Sequence, residues 1–218
     1  MSKLNYKKIL LKKNKEPITC LTAYSRPVAK ILDGLVDLIL IGDSVGTTIY
    51  GMKNTRSVNL EIIKNHGRSV VKNTKKSMTI VDMPYNTYRN KKEALKNALT
   101  ILKFTKANFI KIETDKKNVD IVKYLSKNKI KVVSHIGVMP QKFSDFSKIK
   151  SVGKNRTEIN SLINLALELE QCGSKFIVLE CISAKTSKII TEKLSIPTIG
   201  IGSSKYCDGQ VLVIDDIL

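Results

Sequence analysis

The stretch Leu38-Ile39-Leu40-Ile41-Gly42-Asp43-Ser44 decides the fold. Four consecutive apolar residues read as a parallel strand covered on both faces, and a carboxylate and a hydroxyl begin where the strand stops. The arrangement returns four times: Met-Thr-Ile-Val-Asp at 78–82, Phe-Ile-Lys-Ile-Glu at 109–113, Lys-Val-Val-Ser-His at 131–135 and Phe-Ile-Val-Leu-Glu at 176–180. Five strands thus deliver five ionisable groups, Asp43, Asp82, Glu113, His135 and Glu180, from their C-terminal ends. In parallel α/β proteins ligands bind outside that end of the sheet, and in closed barrels the chemistry sits there. The pattern reads as an enzyme before any motif is considered.

Working outward, Ile18 to Tyr24, Pro197 to Gly202 and Gln210 to Ile214 bring the strands to eight. Helices are predicted between them over 26–32, from an Asn59 cap to about Lys75, over 91–106, 118–127 and 184–194, and from a Thr157 cap to Cys172, where Gly173 stops it. Eight strands alternating with helices over this length predict an α/β fold, a (β/α)8 TIM barrel, rather than an open doubly wound sheet. Long loops are expected over 45–57 and 137–155. Between the seventh and eighth strands there is room only for a turn, and the closing helix after the eighth is missing from this sequence.

Composition bounds the rest. The 218 residues carry no linker or shift in composition, so one domain over 1–218 is expected, opening on a short basic N-terminal helix. No apolar run approaches the ~18 residues a membrane-spanning helix needs. The Lys-rich N-terminus lacks the apolar centre of a secretory signal, which predicts a soluble cytoplasmic protein. Cys20, Cys172, Cys181 and Cys207 are widely spaced, as in reduced cytosolic thiols, and only two histidines are present to join them in a metal site. The net charge of +19 resembles the footprint of a nucleic-acid binder, but it comes from 33 Lys against 5 Arg, scattered among abundant Asn and Ile. Those three residue types share A/T-rich codons, so base composition explains the charge, and nucleic acid is not an expected partner.

A carboxylate at a strand end serves as a metal ligand, as a base, or as the cap of the next helix. Four that converge on one barrel mouth repel each other unless a cation or a shared proton intervenes. The lack of a Cys/His cluster argues against zinc, and hard oxygen ligands suit Mg2+. Lys111 shares a strand face with Glu113, and a lysine inside an apolar strand needs an anion, either a substrate carboxylate or a metal-bound acid. His135 is placed to donate to a developing oxyanion or to serve structurally, whereas His66 on a helix reads as structural. Gly200-x-Gly202 lacks the third glycine of a dinucleotide fingerprint.

Taken together, Thr22-Ala23-Tyr24, Gly42-Asp43-Ser44-x-Gly46, Asp82-Met83-Pro84, Lys111-Ile112-Glu113, His135-x-Gly137, Pro140-Gln141, Leu179-Glu180-Cys181, Ile199-Gly200-Ile201-Gly202 and Asp208-Gly209-Gln210 resemble the ketopantoate hydroxymethyltransferase family, in order and in spacing. The resemblance implies a barrel of the phosphoenolpyruvate/pyruvate type, with Mg2+ on Asp43, Asp82 and Glu113. It implies that Asp43, Ser44, Asp82 and Lys111 bind the 2-oxo acid, and that Glu180 accepts the proton; the chemistry of such a reaction would let His135 stabilise the enolate oxygen. The implied reaction carries a hydroxymethyl group from 5,10-methylenetetrahydrofolate to 3-methyl-2-oxobutanoate, giving 2-dehydropantoate for pantothenate and coenzyme A, in a homo-oligomer. Family members differ in having Gly where this chain has Ser134, and Leu-Thr where it has Val138-Met139. A metal-dependent carbon-carbon lyase of 2-oxo acids, or an inactive truncated barrel, would carry much the same residues.

Overall fold

Side-chain alternation along the strands sets the architecture. In the computed structural model, which describes residues 4–217, eight parallel strands close in chain order into one barrel. They are β1 (Ile18–Thr22), β2 (Leu38–Ile41), β3 (Met78–Asp82), β4 (Phe109–Glu113), β5 (Val132–Gly137), β6 (Phe176–Glu180), β7 (Thr198–Ile201) and β8 (Gly209–Leu212). The wall is sealed where β8 pairs with β1, from Ile18 against Gly209 to Leu21 against Leu212. Met1–Lys3 and Leu218 of the expected domain lie outside the described residues.

Because successive side chains point to opposite faces, each strand feeds two cores. Ile18, Leu38, Ile80, Phe109, Phe176 and Val178 pack into the barrel interior. Ile39, Ile41, Val81, Ile110 and Ile177 belong to the outer core beneath the helices. Each fully buried aliphatic side chain there contributes roughly 1.5–3 kcal/mol of transfer free energy. The N-terminal end of the barrel is plugged by α1 (Tyr6–Leu10), whose Tyr6 ring lies edge-on to Phe176 at 5.4 Å and to Phe109 at 6.1 Å. The interior is thus filled below by apolar side chains, and ionisable side chains line the opposite rim.

The outer layer consists of α2 (Arg26–Leu32), a one-turn α3 (Val45–Thr48), α4 (Leu60–Val71), α5 (Lys91–Thr105), α6 (Val119–Lys127), α7 (Arg156–Gln171) and α8 (Ala184–Lys193). Two helix boundaries differ from expectation by more than one residue, and among the strands β1 ends at Thr22, β5 runs from Val132 to Gly137, β7 covers Thr198–Ile201 and β8 Gly209–Leu212. Helix α4 stops at Val71 rather than near Lys75. Helix α7 is capped by Asn155, not Thr157: Asn155 Oδ1 accepts from the Glu158 backbone N–H at 3.0 Å, and Asn155 Nδ2 donates to Glu158 Oε1 at 2.7 Å. That reciprocal pair satisfies a free N–H and fixes the start two residues earlier than Thr157 would. Only a turn links β7 to β8, as the spacing requires, and among the described residues β8 is followed by a single 3-10 turn, Ile214–Asp216. Among the described residues no helix covers the outer face of β1 and β8, where a groove of about 640 Å3 is bordered by Leu21, Val36, Tyr206 and Leu212.

Candidate active site

Strand register carries the ionisable groups to one rim. On β4, Phe109, Lys111 and Glu113 share a face two residues apart, and Phe109 belongs to the interior core, so Lys111 and Glu113 point into the barrel above it. Asp82 pairs in register with Lys111 on the neighbouring strand, and Glu113 with His135. Asp43 and Ser44 follow β2 directly, and Glu180 ends β6. All seven residues expected to form the site, Asp43, Ser44, Asp82, Lys111, Glu113, His135 and Glu180, line one cavity of about 250 Å3 at the C-terminal mouth. This mouth, and not the larger groove on the outer wall, holds the reactive side chains.

Within the cavity the side chains are tied to one another. Lys111 Nζ lies 2.8 Å from Asp82 Oδ1, both side chains being more than nine-tenths buried. Asp82 Oδ2 accepts from the Asp43 backbone N–H at 3.1 Å. Ser44 Oγ shares a 2.6 Å hydrogen bond with the Tyr24 hydroxyl. His135 Nε2 stands 3.1 Å from Glu180 Oε2, yet neither ring nitrogen has an aligned hydrogen bond. Glu113 Oε2 is buried without a partner.

The electrostatics follow from placing three carboxylates around one ammonium. Burial, reinforced by the nearby Asp82 charge, pushes the Asp43 carboxyl up to about 7. Burial and then Asp43 hold Glu113 well above the usual carboxylate range. Burial opposes the charge of Lys111, but Asp82 and Asp43 outweigh it and keep the ammonium protonated beyond the ordinary lysine range. The cluster is short of positive charge.

Among the described residues, no three His, Cys, Asp or Glu side chains stand close enough to hold an ion by themselves. The reason is visible in their partners: Asp82 turns one oxygen to Lys111, while Asp43 and Glu113 each turn one oxygen to Gln141. The donor set still fits a hard divalent cation. It is all oxygen, Glu113 Oε2 is unpartnered, and Mg2+ takes one or two carboxylates with waters and substrate oxygens completing its shell.

Three contributors escaped the sequence reading. Gln141 stands in a matched motif, but nothing in Pro140-Gln141 tells that its side chain reaches Asp43. Tyr88 bonds that amide from the loop before α5. Thr55 has a buried hydroxyl without a partner lining the same mouth, and no sequence signal marks it. His66 is structural, as expected: its ring joins the Tyr24 carbonyl at 2.6 Å and the Tyr50 hydroxyl at 3.0 Å.

A closed parallel barrel whose C-terminal mouth gathers buried acids around a lysine defines a (β/α)8 enzyme acting at its strand ends. Residues 3–218 match the profile of ketopantoate hydroxymethyltransferase. The chain belongs to the ketopantoate hydroxymethyltransferase family. It is 47% identical to the 3-methyl-2-oxobutanoate hydroxymethyltransferase of Pelagibacter ubique (strain HTCC1062) over 207 residues, 95% of this chain and 79% of that protein. It is 43% identical to the enzyme of the same name from Anaplasma marginale (strain Florida) over 215 residues, 99% of this chain and 78% of that protein. The chain thus spans about four-fifths of these relatives. The activity is that of the family, a transfer of a hydroxymethyl group from 5,10-methylenetetrahydrofolate to 3-methyl-2-oxobutanoate in pantothenate biosynthesis. Among solved structures, 2,3-dimethylmalate lyase of the PEP mutase/isocitrate lyase superfamily shares the fold at 9% identity, with a TM-score of 0.72 over 97% of this chain and 81% of that one. Phosphoenolpyruvate phosphomutase from Streptomyces platensis subsp. rosaceus does so at 7% identity, with a TM-score of 0.70 over 98% and 82%.

Proposed function

We propose that the mouth carries out the transfer by general-base enolisation of the 2-oxo acid, with Glu180 as the base and with Mg2+ held by Asp43, Asp82 and Glu113. The observation that supports this reading most is the charge balance of the cavity: buried carboxylates outnumber the single ammonium, and one carboxylate oxygen is unpartnered. When bound, Mg2+ supplies the Lewis acidity that polarises the keto group and lowers the barrier to losing the proton at C3.

The chain's own groups do the rest. Lys111 offsets the negative charge of the 2-oxo acid, and Asp82 keeps the ammonium aimed into the cavity. Ser44, oriented by Tyr24, donates to the substrate carboxylate. Glu180, with a side chain 17% exposed, accepts the C3 proton; C3 then bonds the methylene carbon of the folate, both C–N bonds of that carbon break, water supplies the hydroxyl oxygen, and the C3 proton and one proton of the water go to the two folate nitrogens. His135, whose ring nitrogens have no competing protein hydrogen bond, donates to the oxygen on which charge develops. Thr55 offers a further unpartnered hydroxyl to the same ligand.

The roles separate experimentally. Glu180→Gln should keep the affinity for 3-methyl-2-oxobutanoate but slow exchange of its C3 proton for deuterium by roughly 10²–10⁴-fold, the usual worth of a positioned base. Asp43→Asn should instead abolish the divalent-cation dependence of substrate binding in calorimetry. A Glu180→Gln enzyme that exchanges at the wild-type rate removes Glu180 from the mechanism, and unaltered binding in Asp43→Asn removes Asp43 from the ligand set.

The same reading takes residues 1–218 as one catalytic domain acting in the cytoplasm as a homo-oligomer. Apolar side chains exposed on and beside α2 support assembly, Ile31 at 66% and Leu35 at 73%. Among the described residues no helix is long and apolar enough to cross a membrane.

A further inference from the structure

We infer that Gln141 is the positioning residue of the acid cluster: it claims one oxygen of Asp43 and one of Glu113, and so leaves the second oxygen of each free for a divalent cation and the 2-oxo acid. The inference rests on the metal reading above and deepens it. Gln141 lies on the 3-10 turn Pro140–Lys142 that follows β5, and it is 3% exposed. Its backbone N–H donates to Glu113 Oε1 at 3.1 Å. Its side-chain Nε2 donates to Asp43 Oδ2 at 2.7 Å and to the Met83 carbonyl at 3.0 Å. Its Oε1 accepts from the Tyr88 hydroxyl at 2.5 Å.

Both amide hydrogens and the amide oxygen are therefore engaged, and the orientation is determined. Turning the amide over would set its oxygen against Asp43 Oδ2 and the Met83 carbonyl, two acceptors facing a third, so these two groups select which end faces Asp43. Tyr88 is the latch, because the hydrogen bond it donates to Oε1 holds the amide in the place that they select. The choice of an amide has a consequence. A lysine or arginine in this place would neutralise the acids and compete with the cation, whereas a neutral donor fixes their geometry and leaves their charge for the ligand. Asp82 is held independently, by Lys111 and by the Asp43 backbone, so Gln141 acts on two of the three acids only.

The test uses Mg2+ as the probe. The full chain, freed of metal by a chelator, is titrated calorimetrically as wild type, Gln141→Ala, Tyr88→Phe and the double variant. Removing a group that orients a ligand typically lowers metal affinity 10–100-fold, and that range is expected for Gln141→Ala, with a smaller loss for Tyr88→Phe. In the double variant Tyr88→Phe should add nothing, because the hydroxyl works only through the amide that is already gone. In steady-state assays the variant should raise the Mg2+ concentration needed for half-maximal rate while kcat at saturating Mg2+ stays within a few-fold of wild type. A merely structural role would not produce that split. Mg2+ affinity unchanged in Gln141→Ala, or independent and additive losses from the two substitutions, would overturn the inference. Should Gln141→Ala fail to fold, Tyr88→Phe decides alone, and an unaltered affinity there overturns it equally. A wild type that takes up no Mg2+ overturns the metal reading and this inference together, whereas a wild type that binds it as well as Gln141→Ala does overturns this inference only.

Discussion

Asp43 shows how a single residue is governed by its surroundings. Its carboxyl is pushed up to about 7 by burial and by Asp82, against about 3.9 in an unfolded chain. Between those values the folded chain binds more protons than the unfolded one, so without a cation the stability attached to this group falls as pH rises from about 4 to about 7. A divalent cation favours the ionised form and works in the opposite direction. The rise in melting temperature that Mg2+ produces over chelator-treated protein should therefore grow across that window, and an increment that is flat with pH contradicts the assignment. Asp82, Lys111 and Glu113 were legible because a strand's two-residue period places them on the face that Ile80 and Phe109 occupy lower down. Gln141, Tyr88 and Thr55 were not, because each reaches the cavity from a turn or loop whose path no periodicity records.

Among the elements, the strands were the most readable. Three, β3, β4 and β6, begin and end where their sequences predict, because a run apolar on both faces has few alternatives to a covered parallel strand. Helix α3 was hidden. Val45-Gly46-Thr47-Thr48 is a poor helix sequence, with glycine and β-branched residues, and it is held by the Thr47 and Thr48 hydroxyls, which donate to the Ser44 carbonyl at 2.9 and 3.0 Å. The end of β5 depends on one glycine. Gly137 has φ +99°, and a Cβ there would stand 2.3 Å from the Glu180 carbonyl oxygen and 2.7 Å from Ile182 Cγ1. Gly137→Ala should destabilise the chain by at least ~2 kcal/mol in urea denaturation. It should also raise the KM for the 2-oxo acid, since β5 and β6 carry His135 and Glu180 side by side. A variant of wild-type stability would show that this junction is not constrained as described.

At the scale of the whole molecule, closure does the organising. Residues as distant in sequence as Asp43 and Gln141, 98 positions apart, meet because the strand ends of a closed barrel share one rim, opposite the aromatic plug. The alternation of strands and helices announced the barrel. In the proposed mechanism the acids gathered at the rim act together, through a divalent cation, on one 2-oxo acid. The most direct measurement is the rate at which the C3 proton of 3-methyl-2-oxobutanoate exchanges with deuterium oxide, followed by NMR without folate, in chelator and in Mg2+. Exchange should require the cation and be lost in Glu180→Gln. Equal exchange with and without the cation, or none in either, would contradict it.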